Sequence, residues 1–352
     1  MGAKRRPTMA DVAELAGVSL STVSLTYSGA GPITDETRAK VEKAAETLGY
    51  GGPSPLGKRL RSGRTDIVAV VIPERLSRAF RDPHALRTMD GLLSELGEMG
   101  LGVLLVPAAT GADGERPLVE SAAMDAAVVM RVRSEGPDPT LEILAKRGIP
   151  AATLDAPHRP GLGNVSLDDR RGTADLIRKL VALGHERIGT VTLPWGYDGT
   201  TEVHDSPATP PLWASTSNRL DAFADAGVEP CVVVEARASM VEEGIAAGHL
   251  ALSHSSRPTA IVAQSDLLAA GVVLAARELE MRVPHDVSVT GFDGLDLPWL
   301  APHELTTMVQ DSVAKGRILA KEVKALLEGE TPAPVMTEVT FREGTTIAKA
   351  PR

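Results

Sequence analysis

Short segments of helical periodicity open the chain, and apolar runs that alternate with amphipathic segments fill the rest of it. In residues 8–27 the apolar positions recur at helical spacing on both sides of Gly17, a residue type that often ends a helix in the left-handed conformation. Thr8 and Ser19 each stand where a hydroxyl group would cap the next helix. The pattern therefore predicts two short helices joined by a tight turn, which is a helix-turn-helix.

A third helix is predicted over residues 34–48, with Thr34 as its cap and Val41 on its buried stripe. These three helices predict an all-α domain over residues 1–50. Residues 51–65 are rich in glycine and proline, which predicts a hinge or linker.

The sequence pattern changes at residue 66, where continuous runs of β-branched residues such as Ile67–Ile72 begin to alternate with helical segments. Continuous apolar strands predict parallel sheets that are covered on both faces, and this many units predicts two doubly wound lobes. We expect strands at 67–72, 102–106, 126–130, 151–154, 188–193, 231–235, 260–263, 287–291 and 335–341. We expect helices at 86–99, 140–147, 172–183, 219–226, 240–253 and 267–279.

The net charge of −9 argues against binding of nucleic acid, but the distribution of the charges along the chain argues for such binding. Residues 1–65 hold ten Lys and Arg against six Asp and Glu, a net charge of +4, so the remainder carries −13. A basic head on an acidic body is typical of a small DNA-contacting module. The single Cys231 excludes an intrachain disulfide and fits a buried apolar role. The chain has neither an apolar run of about 20 residues nor a secretory leader, which predicts a cytoplasmic protein without a membrane contact.

The first fifty residues resemble the DNA-binding headpiece of the lactose-repressor (LacI/GalR) family. The matching residues are Thr8, Asp11-Val12-Ala13, Ala16-Gly17-Val18-Ser19, Thr22-Val23-Ser24, Thr34, Thr37-Arg38, Val41 and Leu48-Gly49-Tyr50. The resemblance implies a transcriptional regulator, a repressor, that binds a pseudo-palindromic double-stranded operator as a homodimer. The DNA-binding positions would be Thr8, Ser19, Leu20, Ser21, Thr22, Ser24, Leu25 and Tyr27.

Leu20 and Ser21 match the main specificity positions of the family, and Leu25 stands where the family usually has Arg. That departure implies a different operator or weaker binding, unless Leu25 packs inward. In the hinge, Leu60 matches a leucine that wedges into the minor groove, and Lys58 and Arg59 would contact phosphates.

The rest of the chain resembles the effector-binding core of the same family, an α/β fold shared with periplasmic binding proteins. Landmarks are Gly148-Ile149-Pro150, Leu183-Gly184-His185, Gly291-Phe292-Asp293-Gly294 and Gln310. The core would span 66–352, with an N-lobe of 66–163 and 293–325 and a C-lobe of 164–292 and 326–352. Arg219 and Asp293 match effector contacts, Ser265 matches a position often held by Asn, and Phe80 aligns with a cleft aromatic. Asp155 and Asp266 join them as candidates because they follow predicted strands at the edge where such sheets bind ligands.

A small-molecule effector, sugar-like and polar, is therefore the expected ligand of the core. No zinc motif or phosphate loop is present, and Gly161–Gly163 lacks the third glycine of a dinucleotide fingerprint. We expect no cofactor, no metal and no enzymatic activity. The alternative is a periplasmic-type ligand-binding or transport protein on the same core. Residues 195–216, rich in Pro, Gly, Ser and Thr, would either cover the effector cleft or form a disordered insertion.

Overall fold

The fold is that of a computed structural model that describes residues 7–29, 31–52, 63–72, 80–110, 112, 114–197, 199–204 and 210–351. The chain divides into two compact units, Met1–Thr65 and Asp66–Arg352. None of the helices in these ranges is long and apolar enough to cross a membrane.

The first unit contains α1 (Met9–Ala16), α2 (Leu20–Ser28) and α3 (Asp35–Leu48). Thr8 and Asp11 form the predicted capping box, because the Thr8 side chain accepts from the Asp11 backbone while the Asp11 carboxylate accepts from the Thr8 backbone. Gly17 ends α1 at φ 64°, which is the left-handed conformation expected of it. Val12, Val23 and Val41, one from each helix, are fully buried and form the small core.

The second unit is built on two sheets of mostly parallel strands. The strands are β1 (Ile67–Ile72), β2 (Gly102–Pro107), β3 (Ala126–Val129), β4 (Ala151–Leu154), β5 (Gly163–Leu167), β6 (Ile188–Thr192), β7 (Glu202–Val203), β8 (Val233–Glu235), β9 (Ala260–Ala263), β10 (Ser288–Asp293), β11 (Thr306–Val309), β12 (Val335–Thr337) and β13 (Thr340–Arg342). The first sheet has six strands in the order β12-β5-β4-β3-β1-β2, and the second has seven in the order β13-β11-β10-β9-β6-β8-β7.

Helices cover both faces of these sheets, as the fully buried strands require. They are α4 (Pro83–Glu98), α5 (Pro139–Lys146), α6 (Asp169–Ala182), α7 (Ala214–Asp225), α8 (Val241–Leu252), α9 (Asp266–Glu278) and α10 (Ser312–Leu327). The α4 and α10 helices approach so closely that a Cβ atom added to Gly316 would lie 2.1 Å from the Thr88 carbonyl oxygen. The predicted fold class is confirmed.

The lobe limits predicted from the sequence need correction, because backbone pairing fixes which sheet each strand joins. The limit at residue 163 cuts into β5, which pairs with β4 from Gly163 onward. The β11 strand belongs to the second sheet, since it pairs in parallel with β10. The β12 strand belongs to the first sheet, where it pairs with β5. The strand predicted over 335–341 is therefore two strands in two different sheets.

Candidate functional site

The predicted DNA-reading residues of the first unit lie on one side of α2 and around its start. Ser19 caps the helix, because its hydroxyl oxygen accepts from the Thr22 backbone N–H over 3.1 Å. The Leu20 side chain is 53% exposed and that of Leu25 is 37% exposed, so Leu25 does not pack into the core. Tyr27 is exposed and meets Tyr50 edge to face, with ring centroids 5.8 Å apart.

Thr8, Ser21 and Ser24 border the same surface as Leu20 and Leu25. The geometry therefore brings five of the predicted positions together on one face, with Ser19 and Thr22 at the helix start. The hinge residues Lys58, Arg59 and Leu60 lie outside the described residues, so the predicted minor-groove wedge stays a prediction.

In the second unit a cleft lies at the carboxyl ends of the strands of both sheets, where open α/β sheets place their ligands. The first sheet and its helices contribute Ile72, Phe80, Asp82, His84, Ala85, Leu86, Thr88, Met89, Met130, Arg131, Leu154 and Asp155. The second sheet and its helices contribute Leu193, Ser215, Arg219, Ser239, Ser265 and Asp293. Five of the six predicted effector residues therefore line one cleft.

The Arg219 guanidinium is buried and held from three directions. It donates from Nε to Asp169 over 3.3 Å and from Nη1 to the Gln264 carbonyl oxygen. Its Cζ atom lies 3.6 Å from the centroid of the Phe292 ring, which is a cation–π contact. Burial raises the pKa of Asp169 to about 6, although the Arg219 charge acts in the opposite direction. These contacts with the protein hold the Arg219 guanidinium in one orientation.

Asp293 ends β10 with a backbone φ of 119°, a value that residues other than glycine rarely adopt. Its Oδ1 atom accepts from the Gln310 amide over 2.7 Å. Burial raises the pKa of the Asp293 carboxyl well above its usual value, and the charge of Arg219 lowers it only in part. Asp155, on the opposite wall, also has a positive φ of 47°. Strained backbone of this kind is often found at functional sites, and here it occurs at two carboxylates of the cleft.

Ser265 caps α9, accepts from the Leu268 backbone N–H over 3.3 Å and from the Ser239 hydroxyl over 3.0 Å. Phe80 is half exposed at the cleft wall and supplies its aromatic surface. These positions agree with the placement that the sequence predicted for them.

Asp266 is the predicted effector residue that does not line the cleft. One carboxylate oxygen accepts from the Leu295 backbone N–H and the other from the Thr307 hydroxyl, each over 2.6 Å. Its side chain is fully buried, and burial raises the pKa of its carboxyl to about 6. Asp266 therefore holds the loop after β10 in place, because both of its oxygens are already occupied.

The sequence did not predict His84 and Arg131, which line the cleft, or Lys315, which contacts the cleft residue Asp155. His84 approaches the Ser312 hydroxyl through Nδ1 over 2.7 Å. Burial, together with the charges of Lys315 and Arg219, lowers the pKa of His84 well below its usual value. Arg131 lies over the Trp213 ring, with 5.7 Å between Cζ and the centroid. Lys315 is nearly inaccessible and pairs with Asp155. No local spacing identifies them, because their partners are remote in sequence.

The segment after β6 reaches across to the opposite lobe. The Tyr197 hydroxyl donates to the Ala109 carbonyl oxygen over 3.2 Å, and the Ser134 backbone N–H donates to Leu212 over 2.8 Å. Trp213 is buried and meets Tyr197 edge to face. The described part of residues 195–216 therefore makes specific contacts with the rest of the second unit, while residues 198 and 205–209 lie outside the described ranges.

Within the described ranges, one group of side chains has the composition of a metal site: Glu202, His204 and Glu235. Glu235 and His204 already interact with the protein and with each other. Glu235 accepts from the Trp195 backbone N–H over 2.8 Å and lies 3.0 Å from His204 Nε2. The His204 ring also stacks on Trp195 at a centroid distance of 3.9 Å.

A helix-turn-helix unit and two α/β lobes with a cleft between them define a class of bacterial regulatory proteins. Residues 8–52 match the bacterial regulatory proteins of the lacI family, and residues 177–346 match a periplasmic binding protein-like domain. An HTH-type transcriptional regulator of Mycolicibacterium smegmatis is 33% identical over 332 residues, which cover 89% of this chain and 88% of that relative. The chain belongs to the lacI family, as its sequence predicted.

Solved structures agree with this assignment. The Lac repressor dimer bound to operator and the anti-inducer ONPF has a TM-score of 0.75 at 22% identity, covering 98% of this chain and all of that one. The complex of the transcriptional regulator CelR with cellobiose has a TM-score of 0.65 at 26% identity, covering 97% of this chain and all of that one. The similarity to the Lac repressor shows that the two chains have the same fold.

Proposed function

We propose that the protein is a transcriptional repressor that binds a pseudo-palindromic operator as a homodimer under the control of a small effector. The observation that carries this proposal is the convergence of Arg219, Asp293 and Asp155 on one cleft in a chain that also carries a helix-turn-helix. A solved relative is described as a repressor dimer bound to operator, which supports the homodimer.

The proposed effector is a sugar or a related polar metabolite. Carboxylate, guanidinium and serine hydroxyl groups suit a ligand with several hydroxyls, while Phe80 and the apolar wall suit its carbon face. The complex of CelR with cellobiose supports a sugar, since that relative has the same fold. We assign no enzymatic reaction to the cleft.

Regulation follows from the two-sided lining of the cleft. A ligand that contacts Asp155 on one wall and Arg219 with Asp293 on the other favours the lobe arrangement in which both contacts form. If that arrangement also changes the affinity of the dimer for DNA, effector and operator binding are thermodynamically linked.

The test is binding of the purified full chain to labelled duplexes from its own gene neighbourhood, with and without a panel of mono- and disaccharides. We expect a salt-dependent complex at one site and a shift of its affinity by one metabolite. The matched control is a chain that lacks residues 1–65, a compact unit of its own. Undiminished operator affinity of this shortened chain would contradict the proposal.

A further inference from the structure

The stretch from Met9 to Gly29 contains no Arg, Lys, His, Asn or Gln. These residue types, apart from His, make the bidentate hydrogen bonds that identify guanine and adenine in the major groove. The α2 helix, whose early residues face the bases in a helix-turn-helix, can therefore make neither contact. Its direct reading of sequence is limited to hydroxyl groups and apolar carbon.

The apolar carbon is concentrated in one shallow depression on this unit, which we call the Leu20 patch. The patch is lined by Thr8, Met9, Ala10, Leu20, Ser21, Ser24 and Leu25. Leu20 is the first residue of α2 and has 53% of its surface exposed. Leu25 is 37% exposed and lines the same depression five residues later. Two exposed leucines at this place cost free energy in water unless something apolar covers them.

The nearby hydroxyls are occupied in closing the start of the helix. The Ser19 oxygen lies 2.6 Å from the Ser21 oxygen and 2.8 Å from the Thr22 hydroxyl oxygen, while it also accepts from the Thr22 backbone. Ser21 is thus tied into the cap beside the patch. Leu20, with 53% of its surface exposed, is the large apolar side chain that remains accessible at the helix start.

We propose, on the basis of the DNA-binding function proposed above, that the Leu20 patch is a specificity site for thymine 5-methyl groups in each operator half-site. The 5-methyl of thymine is the apolar group that a standard base pair presents in the major groove. It matches the patch in polarity, and each half-site of the operator would present such methyl groups to one subunit of the dimer. The operator would then be selected by thymine at the base pairs under Leu20 and Leu25.

The experiment uses the full chain and a duplex selected from a random library for tightest binding. Each thymine of the selected duplex is replaced in turn by deoxyuridine, which removes the methyl group and leaves every hydrogen-bonding group in place. At one or two positions in each half-site we expect affinity to fall about fourfold for each methyl removed. The Leu20→Ala variant should lose this preference for thymine at the position under Leu20.

The matched control is Leu15→Ala. Leu15 is a leucine of α1 that is 52% exposed, as Leu20 is, but it does not line the patch. This variant should keep the preference for thymine, and Leu25→Ala should weaken the preference at the second position. Circular dichroism melting of each variant checks that the headpiece is folded.

Two results would overturn the inference and leave DNA recognition intact: a selected duplex that tolerates deoxyuridine at every position, or an unchanged thymine preference in the folded Leu20→Ala variant. A library that yields no preferred duplex contradicts the proposed function itself, and the inference with it.

Discussion

The Lys315 ammonium donates to both carboxylate oxygens of Asp155, over 2.9 and 2.7 Å, and to Oε1 of Gln310 over 2.8 Å. An ammonium has three protons, so these acceptors use its full capacity. Because its oxygen faces Lys315, the Gln310 amide must turn its nitrogen to Asp293, which accepts over 2.7 Å. One chain of hydrogen bonds thus links the two cleft carboxylates through Lys315 and Gln310.

The first prediction concerns this buried cation. Lys315→Met should lower the free energy of unfolding by about 1–3 kcal/mol, because Asp155 and Gln310 each lose a donor in a poorly hydrated place. Urea denaturation measures the change. The control is Lys324→Met on the same helix, where the lysine is 57% exposed and 3.9 Å from Glu328, so the expected change is within about 0.5 kcal/mol. Similar losses in the two variants would contradict a special role for Lys315.

Asp293 offers a test in which stability and function move in opposite directions. Folding disfavours its charged form, since its pKa is raised well above the usual value. The charged carboxylate therefore lowers the stability of the folded protein. This loss is absent below the pKa that Asp293 has in the unfolded chain and is complete above the pKa that it has in the folded protein. Asp293→Asn keeps an oxygen for Gln310, so it should raise the melting temperature at pH 8 and lose this advantage as the pH falls.

The same Asp293→Asn variant should bind its operator normally and lose its response to the effector, because the carboxylate faces the cleft. Anisotropy titrations with and without the effector measure both properties. A full response would remove Asp293 from the site, and a melting temperature below that of the parent protein at pH 8 would contradict the stated cost of its charge.

His84 predicts sensitivity to acid. Folding lowers its pKa well below the unfolded value, through burial and the nearby charges of Lys315, Arg219, Arg131 and Arg87. The unfolded chain then binds more protons as the pH falls below about 6.5, so this group costs the folded state stability at acid pH. His84→Gln removes this titrating group. The melting temperature of the variant minus that of the parent protein should therefore increase as the pH is lowered from 7.5 to 5. A constant difference across this range would refute the assignment.

The contact of α4 with α10 gives a prediction about packing. Gly316→Ala should destabilise the protein by about 1–3 kcal/mol, since the new Cβ atom meets the Thr88 carbonyl oxygen at 2.1 Å and this oxygen belongs to the backbone of α4. Gly97→Ala in α4 is the matched control, because nothing lies within 4 Å of its added Cβ atom. That control should gain about 0.5–1 kcal/mol in a helix. Thermal unfolding measures both changes. Equal changes in stability for the two variants would contradict the close packing of α4 against α10 at Gly316.

The headpiece was predictable from sequence because its determinants are local. The Thr8–Asp11 box, the Ser19 cap and the Gly17 turn each lie within a few residues of the groups they satisfy. Strands such as Ala260–Ala263 were equally clear, since they are wholly apolar. The β5 strand was missed because it carries a buried polar residue: Asn164 donates to Thr153 and to the Ala156 carbonyl oxygen, two partners that its own sequence does not reveal.

The cleft was predictable only in part. The resemblance located Arg219 and Asp293, and the rule for strand ends added Asp155. Asp266 was misplaced, because a carboxylate after a strand can also turn inward and satisfy a loop, as it does at Leu295. Lys315 could not be found in this way, since its partner Asp155 lies 160 residues earlier.

The strand order also governs how the protein must be made. The first sheet begins with β1 at Ile67, yet it takes its edge strand from Val335–Thr337, and α10 packs on α4 from the far end of the chain. The second sheet likewise takes Thr340–Arg342 as an edge. On the ribosome, neither lobe can be completed until the last strands emerge, so the nascent chain shows apolar surface to chaperones for most of its synthesis. A nonsense mutation late in the coding sequence would therefore leave both lobes unfinished, while the compact headpiece had long been translated.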